Sequence, residues 1–134
     1  MSFYAATKKA IENLSHSYSH IFGIPTTMMR FFTVYGPWGR PDMALFKFTK
    51  AILSGKAIEV YNHGNMSRDF TYVDDLVQAI YLLINVFPKH PNDRNKKILN
   101  DSISDVAPWR VVNIGNSKSI KLMNYISAIE NVTG

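Results

Sequence analysis

Tyr4 and Lys8 stand four positions apart near the head of a segment with helical periodicity. On a helix their side chains share one face, separated by about 6 Å along the axis. A free phenol titrates near about 10 and is a poor base at neutral pH, whereas a neighbouring ammonium favours the phenolate. The pair therefore suits proton transfer to or from a hydroxyl, with Tyr4 as the base and Lys8 as the cation that supports it. Taken alone, this spacing also occurs in many helices that carry no chemistry. Arg40 and Arg68 bring a second kind of chemistry, because the planar guanidinium fork pairs bidentately with carboxylates and phosphates. Asp69, Asp74 and Asp75 sit near an expected helix start, where caps and helix-dipole partners are a better reading than catalytic acids. His16 and His20 share a helix face at a metal-binding spacing, but Ser17 stands where a zinc-protease helix carries glutamate. The chain has no cysteine, so no thiolate nucleophile and no cysteine-type zinc site is available, and no metal is expected.

These groups need elements to hold them. From Ser2 to Phe22 the apolar positions Ala10, Ile11, Leu14, Tyr18, Ile21 and Phe22 recur at helical spacing. Ser2 is placed to cap this helix, and Gly23 with Pro25 to stop it. Thr26 to Tyr35 is rich in β-branched and aromatic residues, includes the apolar pair Met28-Met29 as core filling, and predicts a strand that ends at Gly36-Pro37. A second helix is expected from Asp42, as N-cap, to Ser54, closed by Gly55. Ala57 to Tyr61 reads as a short strand, Asn62 to Ser67 as a polar turn, and Val73 to Val86 as a third helix. Pro88 to Pro108 is a polar connection longer than most loops and is expected to be mobile. Trp109 to Ile114 then predicts a strand and Ile120 to Val132 a last helix. The alternation points to an α/β fold with a mostly parallel sheet, and no internal repeat is visible.

The 134 residues are 46% hydrophobic and 19% charged, which allows one globular domain with a real core. No apolar run approaches the roughly 20 residues of a membrane span, and Met1 to Tyr4 has no signal-peptide character, so a cytoplasmic address is expected. The formal charge of +5 is spread along the chain apart from a loose group between Lys89 and Lys97, and no nucleic-acid motif accompanies it. One expected feature of an α/β nucleotide-binding protein is absent from the chain. No G-x-G-x-x-G or near relative occurs, and hence no Gly-rich turn whose N–H groups would hold a pyrophosphate.

Three stretches occur in fixed order: Phe3-Tyr4-Ala5-Ala6-Thr7-Lys8-Lys9-Ala10, then Arg30-Phe31-Phe32-Thr33-Val34-Tyr35-Gly36-Pro37-Trp38-Gly39-Arg40-Pro41-Asp42-Met43-Ala44-Leu45-Phe46-Lys47-Phe48, then Arg68-Asp69-Phe70-Thr71-Tyr72-Val73-Asp74-Asp75. Together they resemble the nucleotide-sugar epimerases and dehydratases of the extended short-chain dehydrogenase/reductase superfamily, and within it the UDP-glucuronate 4-epimerases most closely. The resemblance covers nearly the whole chain except about 88–108. It implies an incomplete Rossmann-like, doubly wound α/β fold with part of the substrate-binding lobe, covering residues 1–134, with the N-terminal NAD-binding half of the family absent.

The resemblance also assigns roles. Tyr4 is similar to the catalytic base and acid, and Lys8 to the residue that binds the nicotinamide ribose of NAD and supports the tyrosine; both contact the cofactor. Thr33 and Arg40 resemble the contacts to the glucuronate carboxylate, and Arg68 the grip on the UDP diphosphate. Trp38 and Tyr35 fit two roles, lining the sugar pocket or packing the loop. The implied reaction is oxidation of a UDP-sugar at C4, turnover of the 4-keto sugar and its reduction on the opposite face. A 4-keto uronate is a β-keto acid that can lose CO2, so a UDP-glucuronate decarboxylase, or another nucleotide-sugar epimerase/dehydratase, is the alternative reaction, and a non-catalytic nucleotide-sugar binding module the alternative role. The family pairs through a bundle that includes the Tyr/Lys helix, which implies a homodimer or association with a missing N-terminal half. Without that half the chain is expected to bind NAD poorly and to have no turnover alone.

Overall fold

The computed structural model describes residues 2–94 and 101–134. The chain divides into two compact units. The first comprises Met1–Arg30 and Ala79–Ile114, the second Phe31–Gln78 and Gly115–Gly134.

In the first unit helix α1 runs from Phe3 to Phe22. It starts where expected because the Ser2 side chain accepts a hydrogen bond from the Ala5 N–H at 3.2 Å, and it stops at Gly23, which takes the left-handed conformation (φ 66°). Strand β1 (Thr26–Phe31) pairs with β4 (Trp109–Ile114), and α1 packs against β4. The face that α1 turns inward is not the apolar one. Glu12 and Ser19 are its buried residues, while Ile11, Leu14, Tyr18, Ile21 and Phe22 are all exposed. Every polar group on the inner face is paired. Glu12 meets Arg30, Ser15 accepts from the Trp109 indole N–H at 2.9 Å, His16 pairs with Ser104 at 2.8 Å, and Ser19 donates to the Ile24 carbonyl at 2.8 Å. Pairing is what makes such burial tolerable, since an unpaired buried polar group costs about 1–3 kcal/mol.

Much of the long connection is tied down as well. A short 3-10 turn forms at Pro91–Asp93, the Arg94 guanidinium donates to the Ser104 and Ala107 carbonyls, His20 donates to the Val106 carbonyl at 2.7 Å, and Ala107 and Pro108 are buried. The expectation of mobility over 88–108 falls partly on 95–100, which lie outside the described residues.

In the second unit β2 (Thr33–Tyr35), β3 (Ser67–Tyr72) and β5 (Ser119–Lys121) form one sheet in the order β2-β3-β5. β2 and β3 run parallel with Thr33 opposite Phe70, and β3 and β5 antiparallel with Arg68 opposite Ile120. Helices α2 (Ala44–Leu53) and α4 (Leu122–Thr133) pack on each other, and Phe70 stacks on Tyr125 at 4.3 Å between ring centroids. Burial pushes the Tyr125 hydroxyl pKa up, with the nearby Tyr35 adding a smaller push. Helix α3 spans Val73–Ile84 with Asp74 and Asp75 in its first turn, the dipole-partner role expected of them.

Four local expectations differ from the structure. The single strand over Thr26–Tyr35 is interrupted at Phe32, giving β1 and β2. No strand forms over Ala57–Tyr61; instead a 3-10 turn at Tyr61–Gly64 contains Asn62 and His63 with φ of 50° and 49°, a left-handed run that bends the chain out of any sheet. β3 was read only as a turn and a helix approach, because its first residues are polar. Asp42 caps no helix: α2 begins two residues later, behind Met43, and the Asp42 carboxylate is engaged elsewhere.

Candidate functional site

Tyr4 and Lys8 lie in the first two turns of α1, as their spacing requires, and both side chains are accessible. Tyr4 is 70% exposed, and the Lys8 ammonium stands over its ring, 5.3 Å from the centroid. This is cation–π range and places an ammonium within a helical turn of the phenol. An amine there can donate to a ribose hydroxyl while the phenol faces a substrate hydroxyl, so these two residues fit the nicotinamide end of NAD. A pyrophosphate cradle of the Gly-rich type is not encoded in the chain.

One turn beyond Lys8, Glu12 anchors this helix. Its carboxylate receives two hydrogen bonds from Arg30 of β1, at 2.6 Å from Nε and 2.7 Å from Nη2, and a third from Lys9 at 3.0 Å. The Arg30 guanidinium holds the Glu12 carboxyl down to about 2, against the opposing effect of burial and with help from Lys9. The same hydrogen bond raises the Arg30 guanidinium. Reading the sequence did not find this pair, because its members are eighteen positions apart and nothing local marks them. The one available signal was a glutamate in α1 between Ile11 and Leu14 of its apolar pattern.

Thr33, Arg40 and Arg68 belong to the second unit. Thr33 opens β2, and Arg68 lies on the adjacent β3, two residues before the partner of Thr33. Arg68 is exposed, and its guanidinium donates to the Ser67 carbonyl at 3.0 Å. Arg40 ends a loop that follows β2 and is jammed from behind. A Cβ on Gly36 (φ 145°) would come 2.5 Å from Val73 Cγ1, so that position requires glycine, and one on Gly39 would come 2.6 Å from the Phe46 ring and push that ring aside. At the tip Trp38 adopts φ 62° and is fully exposed (102%). A non-glycine residue in this conformation carries roughly 1–2 kcal/mol of strain. Arg40 grips Asp42 with both ends of its fork, Nε to Oδ1 at 3.0 Å and Nη2 to Oδ2 at 2.6 Å. That ion pair holds the Asp42 carboxyl below the usual carboxylate range.

Asp69 serves the architecture. Its carboxylate accepts from the Asn116 and Ser117 N–H groups at 3.0 and 2.8 Å and so clamps the turn after Gly115, where Ser117 has φ 56°. A concavity of about 590 Å³ along α2, lined by Leu45, Phe46, Thr49, Lys50, Leu53 and Ser54, contains none of the candidate residues and is set aside for that reason. Among the described residues no cluster of three metal-ligating side chains occurs, and no helix is long and apolar enough to cross a membrane.

Comparison with known proteins adds independent information. Protein CapI of Staphylococcus aureus is 58% identical over the whole chain, and the "Probable UDP-glucuronate 4-epimerase" of Rhizobium meliloti (strain 1021) is 52% identical over the whole chain. The chain spans about 40% of the length of these relatives. Among solved structures, the UDP-glucuronic acid 4-epimerase of Bacillus cereus in complex with UDP-glucuronic acid and NAD superposes with a TM-score of 0.76 at 32% identity, over 98% of this chain and 36% of that one. The dTDP-glucose 4,6-dehydratase of Bacillus anthracis in complex with NAD gives 0.76 at 20% identity, a likeness of fold, over 98% of this chain and 36% of that one. The matched structures are Rossmann-type epimerases and dehydratases, which places the α/β fold among them. Residues 1–115, including Tyr4, Lys8, Thr33, Arg40 and Arg68, match the NAD dependent epimerase/dehydratase family, and the chain belongs to it.

Proposed function

We propose that this chain supplies the catalytic helix and substrate-binding portion of a nucleotide-sugar 4-epimerase that interconverts UDP-glucuronate and UDP-galacturonate. The observation that carries the reading is the Tyr4/Lys8 pair, an exposed phenol with an ammonium over its ring at the head of a helix pinned by the half-buried Glu12–Arg30 ion pair.

NAD, when bound, accepts hydride from C4 of the sugar and returns it. The chain's own residues do the rest. Tyr4 as the general base takes the proton of the C4 hydroxyl and gives it back on reduction. Lys8 holds the ribose. Arg40, with Thr33, holds the sugar carboxylate, a job that suits a planar fork and that a neutral hexose would not need. Arg68 neutralises the diphosphate. Holding the carboxylate in place also decides the fate of the 4-keto uronate, because a β-keto acid loses CO2 when its C–C bond lines up with the carbonyl. The exposed apolar face of α1 suits pairing with a second copy, and no Gly-rich turn is encoded here, so the 134-residue chain alone is expected to show no turnover.

The test is a chimera in which this chain replaces the matching stretch of the Rhizobium meliloti relative. Supplied with NAD and UDP-glucuronate, the chimera is expected to form UDP-galacturonate, seen by proton NMR, and to stop doing so with Tyr4→Phe. A folded chimera that releases CO2 from UDP-glucuronate would make the decarboxylase the right reaction. One that turns over UDP-glucose but ignores UDP-glucuronate would overturn the uronate assignment.

A further inference from the structure

We infer that the Asp42 carboxylate is an internal stand-in for the substrate carboxylate at Arg40, one that a uronate must displace, so that Asp42 sets how tightly the site holds uronates. This rests on the reading that Arg40 receives the sugar carboxylate and concerns the regulation of that same site.

The geometry is the starting point. Asp42 meets Arg40 fork to fork, at 3.0 and 2.6 Å, which is the arrangement a sugar carboxylate makes with a guanidinium. Only Pro41 separates the two residues, and the loop behind them is fixed by Gly36 against Val73 and Gly39 against Phe46. The pair is thus local and preorganised. It is also easy to exchange, because the side chains of Arg40 and Asp42 are 74% and 59% exposed, and ion pairs so close to water contribute little net stability.

Chemistry gives the arrangement a use. Substrate and product of a C4 epimerisation carry the same carboxylate, so a site that grips the group strongly is as slow to release product as it is quick to hold substrate. A carboxylate that returns to Arg40 as the product leaves lowers the barrier to release. The effect acts on uronates and leaves neutral hexoses untouched.

The experiment titrates the 134-residue chain with UDP-glucuronate and with UDP-glucose by calorimetry, in wild type, Asp42→Asn, Arg40→Gln and the double variant, with Asp42→Ser as a second removal of the charge. Asp42→Asn and Asp42→Ser are expected to tighten UDP-glucuronate about three- to fivefold, the range set by an exposed pair, and to leave UDP-glucose within about twofold. In the Arg40→Gln background the gain from removing Asp42 should vanish, as a double-mutant cycle requires when one residue acts through the other. The inference is overturned if removing Asp42 weakens UDP-glucuronate or leaves it unchanged, if both ligands gain equally, or if the gain survives without Arg40. The underlying reading fails separately: Arg40→Gln would then leave the preference between the two ligands unaltered, or the chain would bind neither, and the inference falls with it.

Discussion

Glu12→Gln removes one charge from the anchor of the catalytic helix and nothing else of note, since glutamine has nearly the same shape. Glu12 is 7% exposed and takes hydrogen bonds from Arg30 and Lys9. Its carboxyl falls from the ordinary 4.5 to about 2. At about 1.4 kcal/mol per pH unit, that drop sets a ceiling of about 3 kcal/mol on the pair's contribution to folding. The cations are partly in water, Arg30 at 48% and Lys9 at 65%, which screens them. About 1.5 kcal/mol is therefore the working figure.

The sign follows from the depressed value. The contribution is complete above the unfolded pKa of 4.5 and is lost as pH falls from there through about 2. Urea denaturation at a series of pH values, on wild type and Glu12→Gln side by side, isolates it, because other carboxylates titrate alike in both. At pH 7 the variant is expected to be less stable by about 1.5 kcal/mol, or about 5 °C in Tm for a domain of this size. The gap should narrow below pH 4.5 and close near pH 2. A gap of constant size across that window would show that the carboxylate charge does not anchor α1, and the account of how the helix is held would fail.

Other perturbations test other parts. Tyr4→Phe and Lys8→Met change only accessible side chains, so thermal melts should move by less than about 1 °C while turnover of the chimera falls at least about 100-fold, the scale of losing a general base; a large loss of stability would make the pair structural. Gly36→Ala puts a Cβ 2.5 Å from Val73 Cγ1 at a φ of 145° and should cost about 2–3 kcal/mol in urea denaturation. Thr71→Val removes a hydroxyl that is 4% exposed and makes no hydrogen bond within the protein, so stability should hold or rise by up to about 1 kcal/mol. Leu14→Glu with Ile21→Lys places charges on the apolar face of α1 and should shift sedimentation toward the monomer if that face is a contact between copies.

What the sequence revealed followed from how local each signal is. Both ends of α1 were legible because Ser2 and Gly23 act on their immediate neighbours. The shared face of Tyr4 and Lys8 was legible because a spacing of four residues on a helix defines a geometry. The loop at Gly36–Arg40 was legible as a loop, but its rigidity depends on Val73 and Phe46, which come from elsewhere in the chain. β3 was missed because its pairing with β2 and β5 is what makes it a strand, and the strand expected over Ala57–Tyr61 is absent beside left-handed backbone at Asn62 and His63, residue types that favour that conformation. Asp42 looked like a helix cap, the usual use of an aspartate there, and only the side-chain geometry shows that Arg40 takes it first.

The least expected feature, a helix that packs through its polar side, bears directly on the chemistry. Apolar contacts are tolerant of rotation, and a helix held by them alone has several nearly equivalent settings about its axis. Hydrogen bonds are directional and lose strength quickly when misaligned. With Glu12 on Arg30, Ser15 on Trp109 and His16 on Ser104, α1 is fixed at three points along its length, and Ser19 closes onto the Ile24 carbonyl just past its end. That fixes its rotation, and with it the direction in which Tyr4 and Lys8 point, about one and two turns upstream of Glu12. The apolar residues are thereby left on the outer face, available to a further surface. A helix oriented by core-facing leucines would have buried that apolar area, whereas this one is held by polar groups and leaves it on the outside.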